Sequence, residues 1–275
     1  MSARLAVPTS IFAGVGAQLR KPGSAPEGAD DWSQPPSAEL PRPVVLAHGG
    51  FVNRTVSFAT LSPMLANAGF RVFTLDYGRP ALPLPRNWAP GACHTVEDNA
   101  REIGAFIDRV LEATGAEQVD VVAQSFGTLS TNHFAKYQGG APLINHLVAI
   151  SPLWDGTTVL GAHRMMAALA RRGWDRPLWS LAGRLDVPIL EQVLHGSDYL
   201  RALRADGVYA AGVRYTNITT RRERFLTPYT TALYPAPNAT NIVIQDEWPR
   251  DRTGHLNIAA AVVTGRYLLA ALTDA

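Results

Sequence analysis

The 275-residue sequence predicts an α/β fold, a mostly parallel sheet wound on both faces by helices. Three observations lead there. Short apolar runs rich in valine and isoleucine recur along the chain, helix-length stretches separate them, and no internal repeat or low-complexity tract breaks the alternation. An apolar content of 47% is ample for a sizeable core. Charged residues make up only 17% and the formal net charge is +2, so no strong field recruits nucleic acid or an anionic membrane. The single cysteine, Cys93, excludes an internal disulfide and reads as a packing residue.

Residues 1–43 read as an N-terminal arm. Arg4, the mildly apolar Leu5 to Ala13, and Val15-Gly16-Ala17 faintly echo a signal peptide, but Pro8, Thr9 and Ser10 interrupt the stretch. No apolar run approaches the roughly 20 residues needed to span a bilayer, so no stable membrane insertion is expected. From Lys21 to Pro43 the chain is dense in proline, glycine, serine and acidic residues, a surface-crossing segment.

The main domain, 44–275, begins with Val44-Val45-Leu46-Ala47, an apolar run stopped by His48-Gly49-Gly50, as in a parallel strand covered on both faces. Further strands are expected at Arg71 to Leu75, Val119 to Ala123, His146 to Ile150, Val213 to Asn217 and Asn241 to Ile244. Ile103, Phe106, Ile107, Val110 and Leu111 form one stripe of an amphipathic helix. Other helices are expected over Phe58 to Ala68, Phe126 to Lys136 and Leu256 to Leu272. The stretch 153–206 has no strand pattern; Met165, Met166, Leu169, Trp174, Leu178 and Trp179 suggest apolar helices instead. Such an insert either covers the core or caps a site and helps form its pocket.

The strand Val119-Asp120-Val121-Val122 runs into Ala123-Gln124-Ser125-Phe126-Gly127 and then a helical segment. Small residues flanking a serine there allow a tight strand-to-helix turn, which lifts the hydroxyl clear of the sheet as a nucleophile. A serine needs a base, and His255, after the last strand and before the terminal helix, stands where a triad histidine belongs. His48 reads as a loop support. Glu223 is the only carboxylate between the last two strands and is the candidate acid; its neighbours Arg221, Arg222 and Arg224 leave open a plain charged surface, with Asp246 as the alternative acid. Oxyanion donors are expected from the amides of Phe126 and Gly50, less so Phe51.

Three glycosylation sequons, Asn53-Arg54-Thr55, Asn217-Ile218-Thr219 and Asn238-Ala239-Thr240, carry no weight on their own. There is no His-Glu-x-x-His helix, Walker loop or dinucleotide fingerprint, so neither a metal nor another cofactor is expected.

Taken together, Asp31-Trp32-Ser33, Pro43 to Gly49, Leu61-Ser62-Pro63, Phe73 to Gly78, Val119 to Val122, Gly156-Thr157-Thr158, Thr227-Pro228-Tyr229, Asn241, Gln245-Asp246 and His255 resemble the bacterial class 2 lipases and esterases, especially those of actinobacteria. The resemblance implies the α/β-hydrolase fold and places the acid, usually aspartate, on Glu223. It also marks departures: Gln124 stands for a histidine, Phe126 for a glutamine and Thr128 for a second glycine. Phe51, Gln124, Met165 and Met166 are the side chains expected against substrate.

The expected activity is ester hydrolysis through an acyl-enzyme, with Ser125, His255 and Glu223 as the triad and Gly50 and Phe126 at the oxyanion. A medium-length acyl group and a small-molecule or lipid ester are expected, with synthetic polyester as a side substrate. Transfer of the acyl group to an alcohol, and a non-catalytic binder of apolar ligands, stay open as alternatives. Secreted relatives carry cysteines where this chain has Gln34, Arg71 and Trp248, which favours a cytoplasmic location over secretion.

Overall fold

A computed structural model describes residues 4–35, 37, 39–158 and 162–273. Parts of the expected arm (1–3, 36 and 38), of the expected insert (159–161) and of the C-terminus (274–275) lie outside the described residues. Six strands, β1 (Val44–Ala47), β2 (Val72–Thr74), β3 (Val119–Gln124), β4 (Ile144–Ile150), β5 (Arg214–Thr219) and β6 (Ala239–Val243), form one sheet in the order β2-β1-β3-β4-β5-β6. Every pairing is parallel. All strands therefore end at one edge of the sheet, where Ala47 pairs with Ala123, Gln124 with Ile150, and Ile150 with Ile218.

The apolar runs are continuous because both faces are covered. Val45, Ala47, Val121, Ala123, Leu147 and Ala149 belong to one core cluster, whereas Val44, Leu46, Val122, Val148, Ile150 and Ile218 belong to the other. Against the first packs the long helix α1 (Val96–Thr114), which buries Ile103, Ile107 and Val110 completely. Each such burial is worth about 1.5–3 kcal/mol relative to exposure. Thr95 caps its start by accepting from the Asp98 amide at 3.1 Å, and Gly115, at φ 66°, ends it.

The helix expected over Phe58 to Ala68 is two, α2 (Arg54–Phe58) and α3 (Leu61–Asn67). Pro63 explains the break: it lacks an N–H and clashes with the carbonyl four residues back, so it is tolerated only in a first turn. Restarting at Leu61 puts it there. Asn53 moves the start of α2 earlier by accepting from the Val56 amide at 2.9 Å. The elbow helix α4 (Phe126–Tyr137) lies where expected, while the terminal helix α5 (Val262–Thr273) starts later, after a 3-10 turn at Ile258–Ala260.

The arm contains a helix that its composition did not predict, α6 (Ile11–Arg20), and is tied to the body. The Ile11 amide donates to Asn257 Oδ1 at 3.0 Å, and the Leu5 backbone and Asn67 side chain exchange bonds of 2.8 and 2.9 Å. Between β4 and β5, the stretch 153–206 is helical at Ala162–Ala170, Arg176–Arg184, Ile189–Val193 and Asp198–Ala205. Its second half covers the core through Ile189, Val193, Leu200 and Leu203, and Gln192 locks it to α1 by bonds to the Val96 amide and Glu97. Among the described residues no helix is long and apolar enough to cross a membrane.

Candidate active site

β3 ends at Gln124 and α4 begins at Phe126, so Ser125 alone makes the turn, with φ 50° and ψ −120°. That left-handed conformation costs a non-glycine residue free energy and persists only where the surroundings enforce it. Here the Ser125 amide donates to Ile150 O at 2.9 Å, and Thr128 Oγ1 donates to Ser125 O at 2.6 Å. Thr128, the departure from the second glycine, thus pins the turn.

Gly127 is required by close approach: a Cβ there would lie 2.6 Å from Ala47 O and 2.7 Å from His48 O. Gly127→Ala is expected to push the elbow off the β1 loop, costing about 1–3 kcal/mol of stability and at least about tenfold in kcat/KM. Thermal unfolding and steady-state kinetics measure both.

Ser125 Oγ lies 3.2 Å from His255 Nε2, and His255 Nδ1 lies 2.8 Å from Glu223 Oε2. A carboxylate only accepts, so Nδ1 carries the proton and Nε2 turns its lone pair to the serine hydroxyl. Glu223 is buried. Its Oε2 also accepts from Ser151 Oγ at 3.2 Å, and its Oε1 from the amides of Arg224 and Phe225 at 2.9 and 3.0 Å. Burial pushes the carboxyl pKa up, but the hydrogen bond and charge of His255 and the two amides outweigh it, and the net direction is down. Among the described residues no arginine forms an ion pair with it. Asp246 instead forms an exposed ion pair with Arg221.

The first core strand brings a second loop against the elbow. A Cβ on Gly50 would lie 2.3 Å from the Phe126 ring, so only glycine fits there. The Phe51 amide is engaged with Gly91 O at 3.0 Å, whereas the Gly50 and Phe126 amides have no acceptor among the described residues. His48 lies beneath, stacked 4.4 Å from the Tyr77 ring, with Nδ1 2.8 Å from Gly49 O; Tyr77 Oη donates to His48 O. Burial holds its pKa below the ordinary histidine range, against the pull of Asp76. It supports the loop as a neutral ring.

Residues 41–134, from the start of β1 through most of α4, match the model of the lipase (class 2) family. Lipase B of Aspergillus fumigatus superposes with a TM-score of 0.61 at 18% identity, over 88% of this chain and 53% of that one. The mature form of Bacillus licheniformis lipase BlEst2 gives 0.56 at 14% identity, over 91% and 96%. A monoacylglycerol lipase of Paleococcus ferrophilus gives 0.55 at 17%, over 85% and 94%. This chain has the α/β-hydrolase fold. The match to the lipase (class 2) model is a similarity over that segment, and the chain as a whole spans about half the length of the A. fumigatus lipase.

Around Ser125 the chain leaves a cavity of about 60 Å³, lined by Gly50, Gln124 and His255 and by Ile11, Val52, Ser57, Leu256, Ala259 and Ala260. Gln124 Oε1 and Ser57 Oγ are both buried without a hydrogen-bond partner among the described residues. Phe51 is 46% exposed and does not line this cavity; its ring lies 5.9 Å from that of Phe126.

The two methionines do not belong to this cavity. Met165 is exposed, and Met166 lines a separate pocket with Trp179, Glu191 and His195. The insert turns Met166 to that pocket and Met165 to solvent, so neither lines the cavity at Ser125. Cys93 is buried and its thiol is pushed up to about 12 by burial, in keeping with packing.

The sequence reading missed Ile11, Ser57 and Ser151. Ile11 reaches the site only because the arm docks on Asn257, 246 positions away. Ser151 carried a weak signal, as the first residue after a strand of the sheet that ends in the elbow.

Proposed function

We propose that the chain is a serine hydrolase that cleaves carboxylic esters of short acyl chain through an acyl-enzyme. The hydrogen-bonded series Ser125, His255, Glu223 at a strained elbow carries this reading. His255 Nε2 takes the hydroxyl proton as Ser125 Oγ attacks the carbonyl carbon. The carbonyl oxygen becomes negative beside the Gly50 and Phe126 amides, each such donor being worth about 10²–10³ in kcat. Collapse expels the alcohol, protonated by His255, and leaves the acyl group on Ser125. Water, deprotonated by His255, then attacks the acyl carbon, and the acid departs. Glu223 keeps the imidazole in the productive tautomer.

A short acyl group suits the cavity at Ser125 better than the medium-length one expected from the insert. The cavity at Ser125 holds on the order of a few water molecules, and Ile11 of the docked arm lines it together with Val52, Ala259 and Ala260. An acyl group of about two to four carbons fits; a longer one must displace the docked arm. The test is a 4-nitrophenyl ester series from acetate to decanoate, with mass spectrometry of the trapped enzyme. Highest kcat/KM between acetate and butyrate, a fall of about tenfold or more by decanoate, and an acyl adduct on Ser125 are expected. An optimum at the longest chains refutes the size assignment, and absence of turnover on every ester refutes the reading.

A further inference from the structure

We infer that the alcohol part of the natural ester carries a negative charge, a carboxylate or phosphate, held by Arg222, Arg224 and Arg252. The inference rests on the roles proposed for Ser125 and His255. A second cavity, of about 880 Å³, opens beside His255; these three arginines, Arg221, Phe225 and Leu256 line it. His255 and Leu256 belong to both cavities, so the imidazole stands between them. The leaving oxygen must receive its proton from His255, so the alcohol departs along the imidazole. With the small cavity behind Ser125 filled by the acyl group, the large one is the place for the alcohol.

Its charge is uncompensated. Arg221 pairs with Asp246 and lies over the Tyr229 ring, but the guanidinium groups of Arg222, Arg224 and Arg252 have neither ion pair nor hydrogen bond among the described residues. The one carboxylate in the wall, Glu223, is spent on His255, Ser151 and two amides. Three free guanidinium groups around one cavity stand out in a chain of formal net charge only +2. A guanidinium binds carboxylate and phosphate alike through paired N–H donors. Phe225, its ring 5.1 Å from that of His255, offers a face for the carbon part of the alcohol.

The test uses two soluble esters of one shape, 4-carboxyphenyl butyrate and its neutral partner 4-carbamoylphenyl butyrate. Binding is measured by calorimetry on the Ser125→Ala protein. The anionic ester is expected to bind about tenfold more tightly at low salt, with the ratio shrinking at 0.5 M sodium chloride. It should fall to about one when Arg222→Gln, Arg224→Gln and Arg252→Gln are added together. Equal binding of the two esters, or a preference that survives the arginine changes, overturns the inference. So does a preference confined to an ester presented on phosphatidylglycerol vesicles, which would mean that the arginines read a surface. Hydrolysis of both esters by the unaltered protein is followed separately: if neither turns over, the proposed function fails, while the binding ratio still decides the charge.

Discussion

Ser125→Ala is expected to lower kcat on 4-nitrophenyl butyrate by about 10⁴- to 10⁶-fold, with His255→Ala close behind and the double variant no worse than either alone. The non-additivity is the informative part. Nucleophile and base act as one unit, 3.2 Å apart, so removing either abolishes the step that the other serves. A residual rate above that in water is expected from the Gly50 and Phe126 amides, which both variants keep. Steady-state and burst kinetics on the three proteins give the result. Retention of wild-type turnover by Ser125→Ala would exclude the serine mechanism. Additive losses in the double variant would mean that Ser125 and His255 act independently.

Glu223→Gln is expected to cost about 10⁴-fold in kcat, whereas Asp246→Asn stays within about twofold. An amide at position 223 can donate to His255 Nδ1 and so move the ring proton to Nε2, where it blocks proton transfer from Ser125. The amide oxygen can still accept from the Arg224 and Phe225 N–H groups, which limits the loss of stability. Asp246 has no such part, because its partner is Arg221 at the surface.

The same carboxylate ties stability to pH. Its folded pKa lies below the ordinary glutamate value of 4.5, so folding favours the ionised form. The contribution is complete above that value and disappears as the pH falls through the lowered folded pKa. Thermal unfolding should therefore show a loss of stability on the acid side that is smaller in Glu223→Gln. Identical acid limbs in the two proteins would count against the proposed charge state.

Much of this was legible in the sequence because it is local. Continuous apolar runs mark strands buried on both faces, and Val119 to Gly127 writes strand, turn and helix in nine consecutive residues. His255 was legible from chain order. Glu223 was less so, since three neighbouring arginines equally describe a charged surface; what separates the readings is that its carboxylate turns inward to His255 and two amides while the arginines turn out. Met165 and Met166 show the converse. Their apolar pattern did not say what each side chain would meet: Met165 is exposed, and Met166 lines a pocket away from Ser125.

The sequence by itself therefore determined the sheet, the elbow and the pairing of Ser125 with His255 as the candidate nucleophile and base. Each depends on hydrophobic period or on backbone sterics within a few residues. Tertiary structure alone placed Glu223, not Asp246, against His255, brought Ile11 into the lining of the small cavity, and gathered Arg222, Arg224 and Arg252 beside His255. These depend on contacts between segments far apart in the chain, such as Ile11 and Asn257, and on the directions in which side chains leave the ends of parallel strands. No local pattern encodes either, because both are set by how the packed layers meet.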